Sequence, residues 1–98
     1  MSVADTTAHL VATARPRLLR GVRLKRDVVR GGYVLLAPER VVRADPIAVA
    51  VLERCDGVRS MAEIVDDLCA VYKGERERIE KDVRTLLAGL VAKRMVAL

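Results

Sequence analysis

The pattern of apolar and polar residues predicts three short strands in the first half of the chain. Val22 to Lys25 alternates apolar with basic side chains, which is the period of a half-buried strand. Gly31-Gly32 then predicts a turn. The run of apolar residues that follows it, from Tyr33 to Ala37, favours a second strand. Pro38-Glu39 suits a tight turn, and Arg40 to Ala44 follows as a third strand with β-branched residues at its centre. Together these segments predict a small antiparallel meander.

The second half of the chain has the spacing of helices, and capping residues mark where they begin and end. Asp45-Pro46 predicts the N-cap and first position of a helix that runs to about Cys55. Gly57 predicts a left-handed turn that closes this helix, with Val58 folded back onto Leu52.

Two further helices are predicted after the first. Ser60 and Glu63 have the spacing of a capping box, which starts a helix from about Met61 to Lys73. A third helix follows Gly74 closely and carries the longest apolar face in the chain, made by Ile79, Val83, Leu86, Leu87, Leu90 and Val91. Residues 95–97 are predicted to form a last short strand or to cover the core.

These elements predict an α+β fold of winged-helix-like type, in which a three-stranded antiparallel meander is followed by three helices. Residues 1–14 show no sustained period and are predicted to be a flexible N-terminal tail or linker, and residues 15–98 form the folded domain. An apolar fraction of 52% over 98 residues is sufficient for one core. We find no apolar run long enough to span a membrane and no signal peptide, so we expect a cytoplasmic protein.

The charge balance is basic, with a net charge of +5 and a pI near 9.8. Such a balance suits nucleic acid, an anionic membrane surface, or an acidic protein or peptide as the partner. The basic residues concentrate before the meander and in its first strand, at Arg15, Arg17, Arg20, Arg23, Lys25, Arg26 and Arg30. This run has two interpretations: a solvated strand face, or an electrostatic collar for an acidic partner.

The sequence carries no recognisable catalytic site. His9 is the only histidine and lies in the predicted tail, so we expect no catalytic acid–base pair and no metal site. Glycine-rich phosphate loops, Cys/His clusters and nucleophile-elbow motifs are absent. Cys55 and Cys69 both fall on apolar helical faces, and we interpret them as buried, reduced thiols. We therefore expect no enzymatic activity and no cofactor, which leaves a binding function.

DNA binding is the alternative function for a winged-helix protein, because such folds commonly lay a recognition helix in the major groove. A helix that reads DNA needs a clear positive field, since each acidic side chain would face phosphate. The exposed positions of the third helix instead alternate in charge, with Arg76, Arg78, Lys81 and Arg84 set among Glu75, Glu77, Glu80 and Asp82. We therefore expect neither a nucleic acid nor a membrane as partner.

The predicted strand from Arg40 to Ala44 suggests a second binding mechanism. If this strand lies at the edge of the meander, its outward backbone groups can accept an extended peptide as an added strand. Charges at Glu39, Arg40 and Arg43 would limit aggregation at such an edge. Protected edges also occur in domains that bind no peptide, so this pattern alone leaves both interpretations open.

Several segments, in order, resemble the PqqD family of pyrroloquinoline quinone (PQQ) biosynthesis. The resemblance extends from about Arg15 to Leu98. The segments that carry it are Arg23-Leu24 with Asp27, Leu35-Leu36-x-Pro38-Glu39-Arg40, Leu52-x-x-Cys55-Asp56-Gly57-x-Arg59-Ser60-x-x-Glu63-Ile64, and Asp82-Val83 with Leu87 and Leu90.

The resemblance implies a peptide chaperone of the type called a RiPP recognition element, which serves ribosomally synthesised and post-translationally modified peptides. Members of the family bind the precursor peptide PqqA and deliver it to the radical-SAM enzyme PqqE, and some relatives are fused to the oxidase PqqC. Their leader peptide adds as a strand in a groove between the third strand and the third helix. For this sequence, the resemblance implies peptide-binding residues Arg40, Val41, Val42, Arg43 and Ala44 on the strand, and Asp82, Thr85, Leu86 and Gly89 on the helix.

Overall fold

The computed structural model describes residues 11–98, so His9 and most of the predicted tail lie outside the described part of the chain. The predicted fold, a three-stranded antiparallel meander followed by three helices, is confirmed. The elements in chain order are β1 (Arg17–Leu18), β2 (Arg23–Arg26), β3 (Tyr33–Ala37), β4 (Arg40–Ala44), α1 (Pro46–Glu53), α2 (Met61–Val71), α3 (Arg76–Ala92) and β5 (Val96–Ala97).

The meander has the strand order β2-β3-β4, and both pairings are antiparallel. Leu35 at the centre of β3 pairs with Leu24 on one side and Val42 on the other. Leu35 is buried, and the other two side chains pack against the same apolar core. Among the described residues β4 pairs only with β3, so it is an edge strand, as the sequence predicted.

A second, two-stranded sheet joins the two ends of the domain, and its first strand was not predicted from the sequence. β1 pairs with β5 in antiparallel register, and the N–H of Leu19 donates to the carbonyl of Met95. Just before β1, the carbonyls of Ala12 and Ala14 accept the first two backbone N–H groups of α2. The segment from residue 12 to residue 19 therefore ties the start of α2 to the C-terminal strand. The boundary at residue 14 between the predicted tail and the folded domain stays a prediction.

The predicted helix starts are confirmed by their capping bonds. The carboxylate of Asp45 accepts the N–H of Ala48 at 2.7 Å, with Pro46 in the first turn of α1. At the start of α2, Ser60 and Glu63 exchange backbone and side-chain bonds in a complete capping box. These bonds satisfy N–H groups that the first turn of each helix cannot satisfy itself.

The end of α1 differs from the prediction. The helix ends at Glu53 instead of Cys55. Gly57 does adopt the left-handed conformation, with φ +78°, but Val58 is 69% exposed, so the predicted contact with Leu52 is wrong. The reason is that the carboxylate of Asp56 accepts the N–H of Val58 and makes a local turn that holds this residue at the surface.

The core between the meander and the helices is almost entirely aliphatic. Val51, Ile64, Leu68 and Leu87 are among its most buried members on the three helices, and Met95 closes it from the C-terminal end. Among the described residues no helix has the length and hydrophobicity needed to cross a bilayer.

Both cysteines are free thiols, but their environments differ. Cys55 is buried and donates to the carbonyl of Val51, whereas Cys69 is only partly buried, less than its helical pattern predicted. Burial raises the pKa of the Cys55 thiol from 9.0 to about 12, with the neighbouring Asp56 charge adding to the effect. The thiolate is the nucleophile, so burial makes Cys55 unreactive.

We expect thiol labelling of the folded protein to distinguish the two cysteines. At pH 8, Cys69 should react first with a disulfide reagent, and Cys55 should react only after addition of denaturant. Because the folded pKa of Cys55 exceeds its unfolded pKa, its contribution to stability is complete below about pH 9 and is lost as the pH rises towards 12. Equal labelling rates for both thiols in native buffer would contradict this assignment.

Candidate peptide-binding site

β4 leaves alternate backbone groups unpaired along its outer edge. Its hairpin with β3 closes with Ala37 opposite Arg40 across a two-residue turn, and such a closing pair is hydrogen-bonded. Bonded and non-bonded pairs alternate along an antiparallel ladder, so Val42 is again bonded to β3. Val41 and Arg43 occupy the non-bonded positions. Their N–H and C=O groups therefore point away from β3.

The side chains of β4 divide between two faces of the sheet. Val42 and Ala44 are partly buried against the core, so they hold the strand in place. Val41 lies on the opposite face and is 65% exposed. Arg43 also points to that face, where its guanidinium donates to the Asp27 carboxylate at 2.8 Å. Of the predicted strand residues, Val41 and Arg43 thus offer main-chain contacts.

The other edge of the meander is a poorer acceptor for an added strand. Three of the four residues of β2 are cationic, namely Arg23, Lys25 and Arg26. Charged side chains on an edge strand oppose pairing with another chain. On β4, by contrast, one of the two arginines is already held by an ion pair.

A depression of about 170 Å³ begins where β4 passes into α1. It lies between the first turn of α1 and α3, and it is lined by Asp45, Ile47, Ala48, Val51, Asp82, Val83 and Leu86. Asp45 directly follows β4, so the depression lies at the Ala44 end of the strand edge. Two predicted helix residues, Asp82 and Leu86, therefore line a cavity that adjoins the predicted strand.

A smaller depression of about 80 Å³ continues along the same face of α3. Its lining shares Ile47, Asp82 and Val83 with the first depression and adds Leu68, Tyr72 and Ile79. The two together form one apolar groove, which we call the α1–α3 groove. An aliphatic or small aromatic side chain matches a cavity of this size.

Sequence reasoning missed Ile47, Tyr72 and Ile79 as groove residues. Tyr72 and Ile79 were assigned to core-facing stripes, because helical periodicity does not separate a core contact from a groove wall. Ile47 is 51% exposed and falls outside the apolar stripe of α1. An isoleucine off the stripe of its own helix was the signal that could have identified it.

Gly89 lies on the groove side of α3. Asp82, Leu86 and Gly89 are spaced at i, i+4 and i+7, which places them on one helix face. A Cβ atom added at Gly89 would meet no atom within 4 Å, so the packing of the chain itself does not require a glycine here. A mid-helix glycine costs about 0.5–1 kcal/mol relative to alanine. Gly89 thus lowers the stability of α3 and leaves open space beside the groove.

Thr85, the remaining predicted residue, lines a different depression. It shares a polar depression on α3 with Glu77, Glu80, Lys81 and Arg84. It is spaced i+3 from Asp82 and i−4 from Gly89, so it lies at the border between the groove side of the helix and this polar depression. Asp82 and Leu86 therefore line the groove beside the strand, and Thr85 lies next to that helix face.

The exposed cations of α3 are partly neutralised, as the charge alternation predicted. Arg84 donates to Glu80 at 2.9 Å, and Arg76 donates to Asp66 on α2 at 2.6 Å. Across residues 11–98 there is no cluster of metal-ligating side chains.

The family model for coenzyme PQQ synthesis protein D (PqqD) matches residues 32–96. The chain belongs to the PqqD family. A PqqA binding protein of Xanthomonas oryzae pv. oryzae (strain KACC10331 / KXO85) is 47% identical over 91 residues, which cover 93% of this chain and 99% of that protein. The resemblance found in the sequence is confirmed.

Solved structures agree with this membership. The PqqD truncation of Methylobacterium extorquens PqqCD, a functional and stand-alone RiPP recognition element, has 41% identity and a TM-score of 0.80, covering 94% of this chain and 98% of that one. Lasso peptide synthetase B1, solved with its leader peptide, has 23% identity and a TM-score of 0.73, covering 87% of this chain and 100% of that one. At 23% identity, the comparison with the lasso peptide synthetase shows that the two proteins share a fold.

We expect amide hydrogen exchange to identify the open groups of β4 in the free protein. The Val41 and Arg43 amides should exchange at least about tenfold faster than those of Val42 and Ala44, because only the latter pair donates to β3. Leu35 in the centre of the sheet is the internal reference for slow exchange. Equal protection at Val41 and Val42 would contradict the assignment of outward groups.

Proposed function

We propose that this protein is a non-catalytic chaperone that binds the precursor peptide PqqA by strand addition along β4 and presents it to the radical-SAM enzyme PqqE. Membership of the PqqD family and the relatives that are PqqA binding proteins support the peptide as partner. The observation that carries the proposal is the unpaired edge of β4, which ends at an apolar groove.

The energetics favour a guest that uses both the edge and the groove. The four outward groups of Val41 and Arg43 can form backbone hydrogen bonds worth about 0.5–1.5 kcal/mol each. Their sum of about 2–6 kcal/mol falls short of the roughly 8 kcal/mol that micromolar affinity requires. An apolar side chain buried in the α1–α3 groove would add about 1.5–3 kcal/mol. Backbone pairing would then set the register, and the groove would select the peptide.

The proposed peptide-binding residues are Arg40, Val41, Val42, Arg43 and Ala44 on the strand, and Asp82, Thr85, Leu86 and Gly89 on α3. We assign them different roles. Val41 and Arg43 supply the main-chain groups, whereas Val42 and Ala44 position the strand. Fusion to PqqC, as in the Methylobacterium extorquens PqqCD protein, is compatible with this scheme because the edge and the groove both lie within residues 40–89.

Val41→Pro tests strand addition directly. Proline removes an N–H that points away from β3, so the domain should stay folded, as edge strands tolerate proline at such positions. The guest carbonyl then loses its donor at a cost of about 1–3 kcal/mol, so PqqA affinity should fall by roughly tenfold to hundredfold. Isothermal titration measures the affinity, and circular dichroism checks the fold.

Val41→Thr is the matched control, because it keeps both the N–H group and a β-branched side chain. It should bind PqqA like the wild type. Unchanged affinity of a folded Val41→Pro variant would refute strand addition at this edge. Val42→Pro is unsuitable, since it removes a bond to β3 and so perturbs the fold itself.

Gly89→Leu tests the groove, with opposite expected effects on stability and binding. Replacing a mid-helix glycine by leucine should raise the free energy of unfolding by about 0.5–1 kcal/mol. The added side chain would occupy the space beside the groove and lower PqqA affinity by about tenfold or more. Ala92→Leu adds bulk one turn further along α3 and should leave the affinity unchanged. Wild-type affinity in Gly89→Leu would exclude the guest from this face.

A further inference from the structure

The loop between β2 and β3 presents two neighbouring valines to solvent. Val28 and Val29 are 86% and 89% exposed, so neither stabilises the core. Together they form a contiguous apolar patch at the end of the hairpin, which we call the apolar tip. Exposed apolar patches rimmed by charge are typical of interaction sites.

The apolar tip is held rigidly by one carboxylate. Asp27 Oδ1 accepts the N–H groups of Val29 and Arg30, both at 3.1 Å, and Oδ2 accepts the Arg43 guanidinium at 2.8 Å. The N–H of Asp27 itself donates to the carbonyl of Gly32. The bonds that the Asp27 carboxylate accepts, chiefly that from the Arg30 N–H, hold its pKa below the ordinary value. A loop fixed in this way loses little conformational entropy when it binds a partner.

Positive charge adjoins the apolar tip. Arg26 and Arg30 flank the two valines in sequence, and Lys25 and Arg23 extend the charge along β2. None of these four forms an ion pair within residues 11–98. The single acid of the hairpin, Asp27, is already neutralised by Arg43. The surface is therefore an apolar centre with a basic rim.

The hairpin and the proposed peptide site can be used at the same time. β2 and β4 lie on opposite edges of the sheet, with β3 between them. Strands are spaced about 4.8 Å apart, so a guest on the outer edge of β4 would lie roughly 15 Å from β2. A partner on the hairpin would therefore leave the guest in place.

We infer that the apolar tip and its basic rim dock a protein whose acidic surface contains a small apolar pocket, and that this protein is the enzyme that modifies the bound peptide. The inference rests on the proposed function, which requires the carrier to meet that enzyme with its guest bound. An apolar anchor inside a charged rim is the usual anatomy of a protein–protein hot spot. The rim would raise the association rate, and the valines would slow dissociation.

Other classes of partner fit this surface less well. A nucleic acid offers no pocket for aliphatic side chains. The one aromatic ring of the hairpin, Tyr33, lines a separate depression with Gly32, Ala44, Pro46 and Val49. Membrane-surface loops usually carry Trp or Tyr beside the apolar residues that insert, and residues 27–32 contain neither. A second copy of this chain would bring like charge against the rim.

Surface plasmon resonance of the full chain against purified PqqE tests the inference, with saturating PqqA present. The apolar-tip variant is Val28→Ser/Val29→Ser, and its matched control is Val58→Ser at an exposed valine elsewhere. The rim variant is Arg26→Glu/Arg30→Glu, and its control is Arg78→Glu/Lys93→Glu, which changes net charge equally. Titration of each variant with PqqA alone measures the peptide site separately.

We expect the apolar-tip variant to lose about tenfold or more in PqqE affinity, and the rim variant to associate more slowly with a weaker dependence on salt. Both controls should bind PqqE like the wild type, and all variants should bind PqqA with unchanged affinity.

Wild-type PqqE affinity in the apolar-tip variant, or absence of any PqqE binding, would overturn the inference. Tip-dependent binding to phosphatidylserine vesicles in place of PqqE would assign the surface to a membrane instead. Failure of wild-type PqqA binding, with tip-dependent PqqE binding retained, would refute the proposed peptide site and leave the docking surface standing.

Discussion

The structure depends on the way backbone hydrogen bonds are distributed around β3. This strand is paired on both sides and buries Leu35 against the helices, so it fixes the sheet to the core. β4 has a neighbour on one side, and its inward side chains Val42 and Ala44 are held by that same core. The core contacts of β4 therefore fix its orientation, so the backbone N–H and C=O groups of Val41 and Arg43 stay directed away from β3. A buried backbone group needs a partner, and these edge groups stay in solvent in the free protein. In the proposed function, the guest peptide supplies their partners.

The second half of the candidate site follows from a short connection. Asp45 both ends β4 and caps α1, so α1 begins beside the open edge and its second residue, Ile47, cannot reach the main core. α3 packs along the other side of this turn and brings Asp82 and Leu86 to the same place, with Gly89 one turn further along the same helix face. The edge can pair with any extended peptide, whereas the groove accepts few side chains. Affinity would depend on backbone pairing at the edge, and selectivity would depend on the groove.

Charge is distributed unevenly over the domain: it is largely balanced on the helices and positive on the β2–β3 hairpin. On the helical side, cations such as Arg76 and Arg84 are matched by acids, which leaves little net field for nucleic acid. On the β2–β3 hairpin, the cations have no acidic partner among residues 11–98, and they flank two exposed valines. Residues 15–20 of the predicted basic collar lie apart from this hairpin, along the segment that ties α2 to the C-terminus. In the two proposals made above, a single small sheet presents one edge to a peptide and another surface to a protein.

The sequence by itself determined the elements that have local causes. An apolar run after Gly31-Gly32 located β3 to the residue, and β-branched residues after Pro38-Glu39 located β4. The side-chain caps at Asp45 and Ser60 located two helix starts, because such signals act within a few residues. Tertiary structure alone decided the pairing of β1 with β5 and which depressions on α3 Thr85 and Leu86 line. It also decided that Ile47, Tyr72 and Ile79 share a groove. Each of these depends on contacts between distant segments, and a two-residue strand or a half-exposed helical residue carries no local pattern that reports them.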